Sequence, residues 1–272
     1  MLYLVATPIG NLKDISYRAI EVLEQCDIIA CEDTRHTIKL LNHYNIKKEL
    51  ISYHEHNIKE RGQELLVMAK EGKTIVLVSD AGCPAISDPG EDLVKLFHQH
   101  SLKVSVIPGP SASISALMIS GLSTKAFVFI GFLPRESKKI KVELEQLKRE
   151  LKTMIFYEAP HRLIKTLTTF KQFFGGKREI ALVREITKIY EEVQKGSIDD
   201  MLDIYKEKKP RGEFVLILSG GIVEENTIKN NISIAKRYNQ LLLEDYDKKD
   251  AMREIAKERN ISRREVYAKL NK

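Results

Sequence analysis

Residues 74–113 read TIVLVSDAGCPAISDPGEDLVKLFHQHSLKVSVIPGPSAS. Two short apolar, β-rich runs, 74–79 and 103–107, each end in glycine, proline, serine or aspartate, and an amphipathic stretch over 91–100 lies between them. A strand, a crossover helix and a second strand in that order form a right-handed βαβ unit, so the two strands lie parallel. Upstream the alternation continues, with strands expected over 2–6, 27–31 and 50–53 and helices over 16–24, 34–44 and 57–71. The reading is an α/β chain whose first half is a mainly parallel, doubly wound sheet. Asn57 with Glu60 has capping-box spacing, and Gly72 stands where a helix C-terminal glycine belongs.

Downstream of Gly121 the strand candidates are 126–131, 153–158, 179–184, 189–196 and 213–219. The third and fourth follow one another with little between them, which calls for an antiparallel pair and a mixed sheet. The chain thus divides into an N-terminal α/β domain over 1–121, a C-terminal α/β domain over 122–221 and a polar helical tail over 222–272. From Val223 onward the tail carries 12 basic and 9 acidic residues. Within it Ile255, Ala256, Ile261, Val266 and Leu270, with a bend at Asn260, suit a helix-turn-helix or a plain helical hairpin; Arg263 and Arg264 open the second helix, placed for phosphate contact.

With 43% hydrophobic and 30% charged residues, the composition is that of a globular protein and excludes a disordered chain. No stretch reaches the ~20 apolar residues of a membrane span, and the N-terminus MLYLVATPIGN reads as a first strand without a basic leader. Cys26, Cys31 and Cys83 form no CxxC pair, which argues against zinc or a disulfide framework and suits a reducing cytoplasm. The net charge of +6 is compatible with a polyanionic partner without requiring one.

Three loops at the ends of the strands at 2–6, 74–79 and 103–107 are richer in small residues than turns alone require: 7–12, 79–90 and 108–113. Open α/β sheets bind ligands at this edge, where small residues let a ligand approach backbone amides and carbonyls. Turn-making, with Asp88 capping the next helix, is the competing reading. Two polar clusters, CEDTRH over 31–36 and YHEHN over 53–57, could supply an acid, a base or a nucleic-acid contact. His54 and His56 alone are weak grounds for a metal, and none is expected. YEAPHR over 157–162, REITK over 184–188 and RGE over 211–213 read either as solvated salt bridges or as a polar floor. The basic loop 133–141 is a phosphate contact or an ordinary helix start. There is no GxGxxG, no HExxH and no GxSxG, and the 175–178 run GGKR lacks the P-loop spacing and reads as a turn.

The motifs ATPIGNL, CEDTR, SYHEHN, VSDAGCPAISDPG, VIPGPSA, FIGFLPR, FYEAPHR, REITKIYEE and RGEFVLI occur in that order between Ala6 and Ile217. In them the chain resembles the tetrapyrrole methylase superfamily of S-adenosyl-L-methionine-dependent enzymes, and within it the branch that acts on small-subunit ribosomal RNA. Cys83, Ala85 and Arg211 depart from the family's usual Thr, Leu and Lys. The resemblance implies a class III methyltransferase fold of two α/β domains with the cofactor in the cleft between them. It also implies a homodimer, and 2'-O-methylation of a cytidine in 16S rRNA near the decoding centre, on free RNA or the small ribosomal subunit. Carried over by position, the cofactor contacts would be Ile9, Asp80, Cys83, Ser111, Ser113, Tyr157, Arg211 and Leu218. Asp80 would offer a carboxylate to the cofactor's ammonium. No catalytic base follows from the resemblance. A ribose hydroxyl is a poor nucleophile at neutral pH, so a proton acceptor or a neighbouring cation is expected, with Glu32, Asp33, Arg35 and Glu158 as candidates. The rival readings are a methyltransferase of small macrocycles and a non-catalytic RNA-binding protein.

Overall fold

The computed structural model describes residues 1–221, 233–259 and 261–270. Strands β1 (Leu2–Val5), β2 (Ile28–Cys31), β3 (Glu49–Ser52), β4 (Ile75–Val78) and β5 (Val104–Ile107) form an all-parallel sheet in the order β3-β2-β4-β1-β5. All four residues of β2 and of β4 are buried, as the central strands of a sheet covered on both faces must be. Period-two alternation sorts their side chains. Leu2, Leu4, Ile28, Ala30, Ile75 and Leu77 meet α3 (Ile58–Lys70) and α4 (Gly90–Gln99) through Leu65, Leu93 and Phe97. Val5, Ile29, Cys31, Val76 and Val78 face α1 (Tyr17–Gln25) and α2 (Thr34–His43) through Leu23 and Leu41.

A second five-stranded sheet runs β6-β7-β10-β8-β9, from β6 (Phe127–Phe132), β7 (Thr153–Glu158), β8 (Glu179–Arg184), β9 (Glu192–Ser197) and β10 (Phe214–Leu218). Only β6 and β7 pair in parallel; β10 is antiparallel to β7 and β8, and β8 to β9. Met154, Phe156, Leu182 and Leu216 pack beneath α6 (Ser137–Leu147), α7 (Leu163–Phe174) and α8 (Ile198–Glu207). The opposite face, with Ile155, Ala181, Val183, Val215 and Ile217, packs against Ala116 and Leu117 of α5 (Ala112–Ile119) and against Ile9 of the loop after β1. Helix α5 is apolar nearly all round, yet only Ser113, Ala116 and Leu117 are buried, while Ile114, Met118 and Ile119 stay exposed. Both sheets belong to one compact unit, Met1–Gly220.

Two local expectations need correction. Asn57 precedes α3 but makes no side-chain cap; its Oδ1 accepts the His54 amide at 2.9 Å and its Nδ2 donates to the Ser52 carbonyl at 2.9 Å, so it closes the YHEHN turn instead. Strand β9 starts at Glu192, not 189, because 185–191 folds into a polar turn with Glu185 and Thr187 at φ +51° and +65° and the Thr187 amide donating to Glu191. Gly72 does follow α3, at φ +95°.

The second unit, Gly221–Lys272, is a cluster of helices α9 (Ile234–Leu243), α10 (Lys248–Glu258) and α11 (Arg263–Leu270) around Ile234, Leu241, Ala251, Ile255 and Val266. Among the described residues α9 precedes the two helices expected over 251–270, and its Arg237 ties to Glu258 at 2.9 Å. Arg263 opens α11 as expected. The bend residue Asn260 and the tail's first stretch, 222–232, lie outside the described residues. Among the described residues no helix is long and apolar enough to cross a membrane.

Candidate functional site

The small-residue loops at the C-terminal edge of the first sheet are knitted into one wall. Thr7 and Gly82 exchange two backbone hydrogen bonds, 2.9 and 3.0 Å, and the Thr7 hydroxyl donates to the Ser79 carbonyl. Gly82 sits at φ +84°, where a side chain would be strained and its Cβ would meet Ile9 at 3.3 Å. The Cys83 thiol donates to the Pro110 carbonyl, burial pushing that thiol's pKa up, and the Ser111 and Ser113 hydroxyls lie 3.1 Å apart.

Facing this wall is the second sheet's inner surface, and between them lies a cleft of about 660 Å³. Ile9, Cys83, Ser111 and Ser113 line it from the first half, and Phe129, Tyr157, Val183 and Val215 from the second. Tyr157 is wedged between Phe129 and Phe132, with ring centroids 5.2 and 5.4 Å away. The volume is in the range of nucleoside-sized ligands, and apolar walls with hydroxyls and bare backbone at one side suit a flat heterocycle joined to a polar chain. The cleft therefore fits S-adenosylmethionine, the cofactor implied by the motifs. Its mouth is braced by Lys188, whose ammonium binds Glu185 at 2.9 Å and Glu213 at 2.8 Å. A Cβ on Gly10 would stand 2.5 Å from the Lys188 side chain, so glycine is needed for that approach.

A second, polar hollow of about 480 Å³ lies across the same wall. Asp80 belongs to it, while the next residue, Ala81, lines the cleft. Asp80 accepts the Asp33 amide at 3.0 Å and stands 3.3 Å from the His36 ring nitrogen. Glu32, Asp33, Arg35, His54, Glu55 and His56 also line it. Asp33 is fully employed: it caps α2 through the Arg35 amide and takes both arms of the Arg35 guanidinium, bonds that hold its carboxyl down to about 2. Glu32 has no hydrogen-bond or ion-pair partner among the described residues. Burial, then the charges of Asp80, Asp88 and Glu55, push its carboxyl above the usual carboxylate range.

Ile9, Cys83, Ser111, Ser113 and Tyr157 thus come together in the cleft, and Glu32, Asp33, Arg35 and Asp80 in the hollow beside it. Two of the residues carried over as cofactor contacts stand elsewhere. Arg211 is exposed in the loop before β10 and does not line the cleft. Leu218 is buried in the helix-covered face at the far end of β10, paired with Met154. Four residues from the cleft-side end of an antiparallel strand is about 13 Å. Glu158 borders the cleft, but its side chain is 1% exposed and spent on the Ala159 amide, Thr166 and Arg162. Such a carboxylate braces the loop and is not placed to take up a proton from a substrate. Sequence reasoning did not single out Phe129, Lys188 or Glu213 as site residues, although all three lie inside quoted motifs and the runs holding Lys188 and Glu213 were read as a possible polar floor.

A model of the family described as Tetrapyrrole (Corrin/Porphyrin) Methylases matches residues 1–202, and the chain belongs to that family. Over nearly all of its length it is similar to proteins named Ribosomal RNA small subunit methyltransferase I. The one from Synechocystis is 43% identical over 98% of this chain and 96% of its own, and that from Bacillus subtilis 44% over 98% and 92%. The one from Thermotoga maritima is 44% identical over 80% of this chain and 98% of its own. Among solved structures, the methyltransferase CobJ superposes with a TM-score of 0.62 at 16% identity, covering 81% of this chain and 94% of its own. Uroporphyrin-III C-methyl transferase from Thermus thermophilus, complexed with S-adenyl homocysteine, does so with 0.57 at 17%, covering 80% and 96%. At those identities the likeness is one of fold, and it is the two-domain methylase fold expected from the motifs.

Proposed function

We propose that this protein transfers the methyl group of S-adenosylmethionine to the ribose 2'-hydroxyl of a cytidine in 16S rRNA near the decoding centre. The observation that carries the reading is the pairing of an apolar, nucleoside-sized cleft with a polar hollow across a single loop, in a chain whose relatives are named for small-subunit rRNA methylation. Ile9, Cys83, Ser111, Ser113 and Tyr157 would hold the cofactor, with Asp80 at the seam between cleft and hollow. When bound, the cofactor supplies an electrophilic methyl on a sulfonium, whose positive charge is lost as the methyl moves to oxygen. Alignment of the hydroxyl with that methyl is the larger part of the catalysis. Glu32, unpartnered and with a raised pKa, accepts the hydroxyl proton as the new C–O bond forms. Arg35, turned to solvent and fixed by Asp33, is placed to meet a phosphate.

The same reading has the protein act in the cytoplasm as a homodimer, with the domains divided near Gly121. Support for pairing comes from large apolar side chains left in solvent: Tyr17 of α1 at 88%, Val106 of edge strand β5 at 60% and Met118 of α5 at 74% exposure. The test is product mapping. A 2'-O-methyl group removes the nucleophile that drives alkaline cleavage, so small subunits from a strain lacking the protein, treated with protein and cofactor, should show one new gap at a cytidine in an alkaline ladder. Methyl incorporation with an unbroken ladder would overturn the 2'-O assignment.

A further inference from the structure

A third hollow, about 730 Å³, opens on the helix-covered side of β6 and β7. It shares Phe132 and Ala159 with the cofactor cleft, so the two adjoin along the rim of the second sheet. Its ionisable lining is one-sided: Arg135, His161, Arg162 and Lys165, with no aspartate or glutamate. Arg162 is consumed internally, donating to the carbonyls of Leu133 and Pro134 and pairing with Glu158. Arg135, His161 and Lys165 have no hydrogen bond from their side chains and no ion pair among the described residues. The carboxylates of the neighbouring segments are already taken, Glu136 by Lys139 at 2.8 Å and Glu158 by Arg162. The hollow also lies where α6 and α7 begin; neither helix has a side-chain cap or an acidic residue in its first turn.

Two cations without counter-charges, Arg135 and Lys165, beside the ring nitrogens of His161 around a concave site call for an anion. Continuity with the cleft says which one. A strand whose target ribose meets the cofactor's methyl at the edge of the cleft carries its next phosphates across Phe132, which is 57% exposed at the shared rim. We infer that the hollow lined by Arg135, His161 and Lys165 is a subsite for the phosphodiester backbone of the RNA strand, flanking the nucleotide to be methylated. Arg162 shapes it by pinning the 133–134 backbone to Glu158 and α7, and does not itself meet the RNA. The inference rests on the rRNA-methylating reading above and extends it to where the strand runs. Phosphate contacts fix register without reading sequence, so the subsite positions the strand and does not select the base.

The test is the salt dependence of rRNA binding by the full-length Arg135→Gln/Lys165→Gln protein. Its charge-matched control is Lys70→Gln/Lys103→Gln, two exposed lysines at the opposite end of the first sheet from the loops. Each phosphate contact removed lowers the slope of log K against log salt by about 0.7–1. The double variant should therefore lose about 1.4–2 in slope and show a raised KM for rRNA with kcat retained. The control should keep the wild-type slope, and S-adenosylhomocysteine affinity should be unchanged in both. A wild-type slope in the Arg135/Lys165 variant, with rRNA methylation intact, overturns the subsite and leaves the activity standing. Absence of any rRNA methylation by wild-type protein overturns the activity and the subsite with it. Inorganic phosphate that saturates the wild type at low concentration and leaves its rRNA binding undiminished would assign the hollow to a small anion and overturn the strand path.

Discussion

Replacing Glu158 by Gln separates bracing from catalysis at the cleft. The carboxylate is buried and receives the Ala159 amide at 2.9 Å, the Thr166 hydroxyl and the Arg162 Nε at 3.3 Å. Gln can keep an oxygen toward the Ala159 amide, but it places an NH2 where Arg162 donates. Hydrogen bonds to a charged group contribute about 1.5–3 kcal/mol each. Arg162 keeps its two carbonyl acceptors and Thr166 can rotate its hydroxyl, so the net cost should be about 2–3 kcal/mol. In a unit of this size each kcal/mol moves the midpoint by about 2–4 °C, which gives a fall of about 4–12 °C. Scanning calorimetry would read the midpoint, and methyl transfer at a temperature well below it would read kcat. Thr166→Val should lower the midpoint in the same direction, and kcat should stay near wild type in both variants. The reasoning fails if Glu158→Gln keeps its midpoint while kcat falls by the ~10²–10⁴-fold that losing a general acid or base produces.

Gly82→Ala forces a side chain into left-handed backbone, costing about 1–2 kcal/mol, and presses on Ile9; S-adenosylhomocysteine binding by calorimetry should weaken, and unchanged affinity would contradict the packing of that wall. Arg35→Ala removes the largest cause of Asp33's low pKa, so the Asp33 carboxyl should titrate above its present value of about 2 by NMR; a midpoint that stays there would contradict the pairing. Burial raises the pKa of Glu185, but Lys188 and the Glu213 amide outweigh it and hold the carboxyl below its usual 4.5. A depressed carboxylate stabilises the fold above its unfolded pKa and loses that contribution as pH falls through the folded one. The urea-midpoint gap between wild type and Glu185→Gln should therefore be constant above about pH 5 and shrink below 4.5, whereas a gap that widens on acidification would refute the sign.

Much of the first sheet was legible because its central strands are short, wholly apolar runs, IIAC over 28–31 and IVLV over 75–78, set between amphipathic helices. Period two then dictates which side chains meet which helix pair. The wall of small residues was legible for the same reason, since a parallel sheet puts the C-terminal ends of all its strands on one edge. What the residues could not supply was direction in the second sheet. RGEFVLIL is an equally good strand run either way, and only the antiparallel register of β10 with β7 puts Phe214 at the cleft and Leu218 away from it. The split between cleft and hollow was equally hidden. Asp80 and Ala81 are neighbours in the chain, yet alternation across one loop sends them to opposite sides. Asp33 likewise looked like a free acid until its bonds to Arg35 were seen.

The cleft is walled by Ile9 on one side and by Val215 on the other, residues separated by most of the unit's length. The first sheet can close once the ribosome has released residue 107, because all five of its strands lie before that point. The binding cleft cannot, since β10, over 214–218, is made long after the first sheet and its Val215 and Ile217 pack in the same cluster as Ile9. Closing so long a loop is entropically costly and comes late in folding. A ligand that touches both walls therefore binds only the finished fold, and adding it to a refolding reaction should slow unfolding of the completed protein without speeding formation of the first sheet.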